Sequence, residues 1–155
     1  MKHGTLGIGT LLGIGAMAAS TLAMAPVGHA VTPETATLSF DCGSYGSGTA
    51  TLTATQDGTA ATITLSTSAI TSPFPVSANS VRSTLTLSKN GTGTTTFTGR
   101  SNPAIPAGGA ISTGALNGTV AAGDSLEAKS LTVVVFGITV ICTATSPQDP
   151  GPFVF

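Results

Sequence analysis

Leu131-Thr132-Val133-Val134-Val135-Phe136-Gly137-Ile138-Thr139-Val140-Ile141-Cys142-Thr143-Ala144-Thr145 is apolar and β-branched almost throughout, and its reading decides the fold. β-branched residues suit a pleated surface, and an unbroken apolar run predicts a strand buried in the middle of a sheet rather than at its edge. Gly137 interrupts the run. Leu131, Val133 and Val135 share one face of a strand, whereas Ile138, Val140 and Cys142 have the opposite parity. One extra residue at Phe136-Gly137 would bring both sets to the same side, which a β-bulge does. The alternative is a tight turn between two short strands. The bulged strand is favoured, because the residues around Gly137 offer little turn chemistry.

This segment also holds Cys142, and the only other cysteine of the chain is Cys42. Cys42 follows Leu38 and Phe40 at alternate positions, as Cys142 follows Ile138 and Val140, so both thiols are expected to face inward. In an exported chain such a pair is read as a disulfide, and closing a loop of about 100 residues stabilises by roughly 4–5 kcal/mol. Two free buried thiols are the alternative.

Export itself is read from the first thirty residues. Met1-Lys2-His3 is a short basic start, Thr5 to Ala25 carries no charge, and Gly28-His29-Ala30 places small residues at the −3 and −1 positions of a cleavage site. Residues 1–30 are therefore expected to be a signal peptide cut after Ala30, with no cysteine at the cut for lipidation. An uncleaved anchor is the alternative, since about twenty apolar residues span a bilayer. After cleavage no membrane span is expected.

Residues 31–145 are expected to form one domain, and 146–155 a proline-rich tail without room for a strand. Six acids (Glu34, Asp41, Asp57, Asp124, Glu127, Asp149) face four bases (Arg82, Lys89, Arg100, Lys129), a balance of −2. Charge this sparse leaves no footprint for nucleic acid. No helical period of useful length follows Ala30, whereas short alternating segments recur. Strands are expected over Thr35–Asp41, Thr49–Thr55, Ala60–Thr67, Val81–Lys89, Thr94–Thr98 and Ile111–Val120, before the apolar run. Asp57-Gly58 and Asn90-Gly91 mark hairpins. Asn117-Gly118 is read as a further turn, and Pro73-Phe74-Pro75 as a crossing between sheets. Asp124-Ser125-Leu126-Glu127 has capping-box spacing, although a turn with surface charges accounts for it more simply.

About seven or eight strands with regular turn signals predict an all-β fold, an immunoglobulin-like β-sandwich, with a small closed barrel as the rival. The Ala-, Gly- and Thr-rich export-type chain, with few lysines and the Cys42–Cys142 pair, resembles small secreted immunoglobulin-like β-sandwich proteins of high-GC Gram-positive bacteria. The resemblance is one of pattern over the mature chain, and it implies an extracellular location. The chain lacks the tryptophan that packs on the immunoglobulin disulfide, and its cysteines lie in the first and last strands. It also shares size and composition with the enediyne-carrying apoproteins, but not their two short-range disulfides.

The residues argue against an enzyme. His3 and His29 are the only histidines and both leave with the leader, so the mature chain has no histidine base and no His/Cys set for zinc. The acids have no calcium-loop spacing, and no metal or cofactor is expected. Tyr45 in a glycine-serine loop, Phe74 between prolines, and the terminal Phe153 and Phe155 are the candidate contact surface, with a Tyr45 ring folded back over the disulfide as the alternative. Two functions follow as expectations. One is a structural or interaction module that meets an envelope partner or its own copies through free strand edges. The alternative to it is an extracellular carrier of a small apolar ligand.

Overall fold

The structure is a computed structural model that describes residues 30–155. The expected signal peptide, apart from Ala30, lies outside the described residues. Nine strands follow in chain order: β1 (Thr35–Asp41), β2 (Ser47–Asp57), β3 (Ala60–Thr71), β4 (Arg82–Lys89), β5 (Gly93–Gly99), β6 (Ala110–Thr119), β7 (Ser125–Val135), β8 (Ile138–Ala144) and β9 (Phe153–Val154). The β2–β3 hairpin turns at Gly58-Thr59, one residue past the predicted Asp57-Gly58 because Asp57 still pairs with Ala60, and the β4–β5 hairpin turns at Asn90-Gly91-Thr92, which contains the predicted pair. Asn90, Gly58 and Gly91 all have positive φ there, the conformation that Asn-Gly and Asp-Gly supply at low steric cost.

The predicted immunoglobulin-like sandwich is not what the chain forms. The strand order runs β4-β5-β6-β3-β2-β1-β8-β7, and β7 pairs in turn with β4. Arg82 to Lys89 lie antiparallel to Val134 to Leu126, so the first eight strands close into a barrel and β9 is added outside the ring. A sandwich keeps free sheet edges, whereas closure pairs them. Length makes this possible: β7 is eleven residues long and reaches β4 along one side and both β8 and β9 along the other. A bulge at Lys129, between the Thr86↔Ser130 and Leu87↔Ala128 pairs, supplies curvature. Between the β8 and β9 pairings on the other side of β7, the Ala128 N–H donates to Gln148 Oε1 at 2.6 Å.

Two seams of the barrel are short. β5 and β6 pair only at Thr98↔Asn117, and β1 and β8 only at Phe40↔Ala144 and Asp41↔Thr143. Cys42 and Cys142 stand next in the β1–β8 register and are disulfide-bonded, so the bridge staples the second seam. Beyond it the tail takes over as the neighbour of β1. Asp149 exchanges backbone hydrogen bonds with Thr37, and Val154 with Thr32.

Four further expectations need correction. The apolar run is two strands, not one bulged strand: Phe136 and Gly137, with φ of 53° and 71°, form the two-residue turn between β7 and β8. The paired positions Val135↔Ile138, Val133↔Val140 and Leu131↔Cys142 place both apolar sets on the inner face. Nor is the run fully buried, because Ile141, Phe136 and Ile138 are exposed. The tail does contain a strand, β9, and buries Phe153 and Phe155 in the main core. Asn117-Gly118 is not a turn but lies inside β6, where a side chain on Gly118 would meet the ring of Phe97.

The core fills one end of the barrel. Leu52, Ile63, Leu87, Phe97, Leu116, Leu126 and Phe153 are all completely buried and belong to one cluster. Asp124 closes the Ala121–Asp124 turn beside this end, with no helix after it, and is buried rather than a surface charge. Its Oδ2 accepts the Ala121 N–H at 2.9 Å and its Oδ1 accepts from Asn90 Nδ2 at 3.3 Å.

Candidate functional site

The inner rows of the strands change character along the barrel axis. On β4 the inward residues are Ser83, Leu85 and Leu87. Leu87 belongs to the packed end, while Leu85 and Ser83 line a cavity at the other. Likewise β2 passes from Ala54 and Leu52 to Ala50, and β3 from Ile63 to Leu65, which with Ala50 lines the cavity. The inward face of β8 (Ile138, Val140, Cys142, Ala144) belongs entirely to the cavity. Its volume is about 520 Å³. Apart from Lys129 its walls carry no charged side chain, and their polar groups are serine, threonine and tyrosine hydroxyls.

The open end is held by specific contacts. Buried Asn102 uses its whole hydrogen-bonding capacity on two loops. Its Oδ1 accepts the Ser80 and Val81 N–H groups, both at 2.9 Å, and its Nδ2 donates to the Ser77 and Pro103 carbonyls, both at 3.0 Å. The clamp fixes Val76, Val81 and Ile105 as a small second core that forms part of the cavity wall. The disulfide forms part of the wall opposite, since both cysteines line the cavity.

Three aromatic residues from three separate connections border the cavity. Tyr45 ends the 3-10 turn Gly43–Tyr45 after β1 and is 51% exposed; Phe74, in the loop after β3, is 65% exposed; Phe136, at the β7–β8 tip, is 59% exposed. A bulky residue with positive φ is rare and costs about 1 kcal/mol or more, so its persistence at Phe136 is a constraint imposed by the surrounding fold. Of the four residues expected to form the contact surface, the barrel brings Tyr45 and Phe74 to the cavity mouth. It sends Phe153 and Phe155 to the packed end, where their rings meet edge-to-face at 6.4 Å. The correction has a plain cause: β9 adds to β7, and alternation then turns both rings inward.

Sequence reasoning missed Phe136, Ile138 and Ser83. Phe136 could have been found from its position before Gly137, had the pair been taken as a turn. Ser83 gave a weaker signal, one polar residue in the inward row Ser83-Leu85-Leu87.

The remaining chemistry is sparse. Among the described residues no three His, Cys, Asp or Glu side chains gather as a metal site. No described helix is long and apolar enough to cross a membrane. The Asp124 carboxyl is held below its ordinary range, chiefly by the Ala121 N–H; burial opposes this, and Asn90 and the Lys89 ammonium assist it. It lies away from the cavity and has a structural role. Comparison with protein-family models, curated proteins and solved structures found no match.

Proposed function

We propose that the protein is an exported, non-enzymatic carrier that holds a small apolar ligand in the open end of its barrel. The observation that carries this reading is the apolar cavity of about 520 Å³, bordered by Tyr45, Phe74 and Phe136. Ligand sites are concave, mostly apolar, about 300–1,000 Å³ in volume, and are often found in the mouths of β-barrels. A sealed void of this volume would cost on the order of 12 kcal/mol at about 24 cal/mol per Å³, as much as a whole domain's stability. An opening that admits water or a ligand removes that penalty. Covering the wetted apolar walls then drives binding. The disulfide supports the extracellular setting, because such bonds persist in oxidising compartments.

The test uses a built-in probe, since Tyr45 borders the cavity and the chain has one tyrosine and no tryptophan. Titration with the neutral dye Nile red should give saturable binding that changes Tyr45 emission. Ala50→Phe and Val140→Phe, which place rings into the cavity, should weaken it. Absence of saturable binding, or binding indifferent to both substitutions, would overturn the reading.

A second reading, an interaction module, is favoured by one observation. Val134 and Ile141 on the β7–β8 hairpin face outward, 36% and 61% exposed, beside Phe136. Such an apolar patch marks a contact surface for an envelope partner or another copy. Size-exclusion chromatography over a wide concentration range tests the second possibility, and a monomer throughout counts against it.

A further inference from the structure

Of the buried hydroxyls in the cavity wall, Ser83 differs from Thr113. Thr113 Oγ1 is engaged: it accepts the Leu65 N–H at 3.1 Å and donates to the Gly114 carbonyl at 2.8 Å. Ser83 is completely buried, points inward in the same row as Leu85 and Leu87, and its Oγ has no hydrogen-bond partner among the described residues. Leaving a buried hydroxyl unpaired is unfavourable, and alanine would fit the same position without that cost. The charged groups nearest in sequence to these walls offer no rival partner. Arg82 is exposed, with parity opposite to that of Ser83, and the Lys129 ammonium is paired with Glu127 at 2.8 Å.

We propose that Ser83 is the specificity-determining contact of the cavity, and that its ligand is an apolar molecule carrying one uncharged oxygen, a hydroxyl or a carbonyl, that hydrogen-bonds to Ser83 Oγ. This deepens the carrier reading and rests on it. A serine hydroxyl can donate to a carbonyl or accept from an alcohol, so both groups satisfy it. A carboxylate does not fit, because a charge buried here would have no counter-ion and no set of N–H donors.

Binding of dodecane, 1-dodecanol, 2-dodecanone and dodecanoate, measured by Nile red displacement at neutral pH, tests the proposal with wild-type protein and Ser83→Ala. In the wild type the alcohol and the ketone should each bind about fivefold more tightly than the alkane, the worth of one neutral hydrogen bond. Dodecanoate should bind more weakly than both. Ser83→Ala should erase the preference for the oxygen, so that the alcohol and the ketone no longer bind more tightly than dodecane. The melting midpoint of the ligand-free variant should not fall below that of the wild type, which shows that the variant folds. A preference that survives in Ser83→Ala, or dodecanoate binding as tightly as dodecanol, would overturn the assignment while leaving the carrier reading intact. Failure of every ligand, the alkane included, to displace the dye would remove both.

Discussion

Breaking the Cys42–Cys142 bridge is expected to do more than its single bond implies. The cysteines are separated by 100 positions, and closing a loop of that length removes about 4.7 kcal/mol of conformational freedom from the unfolded chain. The unfolding entropy of a domain this size is roughly 0.26 kcal/mol per kelvin, so the melting midpoint should fall by about 18 °C. Folded-state geometry adds to the effect, because β1 and β8 share two paired positions whereas β1 and β2 share seven. The seam therefore has little ladder to hold it once the sulfur link is gone. Cys42→Ala/Cys142→Ala, compared with wild type by calorimetry, avoids any side effect of a reductant. Tyr45 emission adds a local reading, since its turn begins at Cys42 and is held there by the Cys42 N–H bond to the Gly46 carbonyl at 2.8 Å. A midpoint lowered by less than about 5 °C would refute the reasoning and show that the tail holds the seam without the bridge.

Other perturbations separate the remaining parts of the fold. Phe153→Ala should cost about 3–5 kcal/mol in urea unfolding, because its ring is completely buried. A chain ending at Thr145 should lose more; an unchanged midpoint for that truncation would show that the tail is not part of the core. Gly118→Ala should cost about 1–3 kcal/mol by forcing the Phe97 ring to move, and a neutral result would mean that the ring has free space. The depressed Asp124 carboxyl stabilises the fold above its unfolded value of about 3.9, and that contribution is lost as pH falls through its lower folded value. Asp124→Asn should therefore destabilise the protein at pH 7 and flatten the acid limb of stability against pH below about 4; an identical acid limb would remove that role.

Much of the strand content was legible because alternation and Asn-Gly or Asp-Gly turns are local signals. Thr35–Asp41 was expected and forms with those bounds, and both predicted hairpins form. Closure was not legible. A strand that alternates inward and outward residues does so equally in a sandwich and in a barrel, and the difference lies in the β4–β7 pairing between segments far apart in the chain. Phe136-Gly137 misled because phenylalanine seldom adopts positive φ, so the sequence offered no turn there. The tail misled through its prolines, which hide a two-residue strand that needs no periodicity. Tyr45 and Phe74 stay exposed because aromatic rings within Gly-, Ser- and Pro-rich connections have little core to enter. Phe153 and Phe155 have the same composition signal, but β7 offers their backbone a partner.

The uneven filling of the barrel follows from how its stability is distributed. Large side chains, including Phe97 and Phe153, close one end and bury apolar area there. The other end has inward residues of ordinary size on β7 and β8 and, among the described residues, no plug comparable to the tail, so side-chain packing contributes less to holding its strands in place. Covalent and polar fasteners take that role there: the disulfide across the β1–β8 seam, and Asn102 with its four hydrogen bonds between the loops at Ser77–Val81 and Asn102–Pro103. A wall held by such fasteners need not collapse onto an empty interior, as an apolar wall held only by packing would. Rings such as Tyr45, Phe74 and Phe136 can then remain at the rim, where a ligand rather than the protein's own core would cover them.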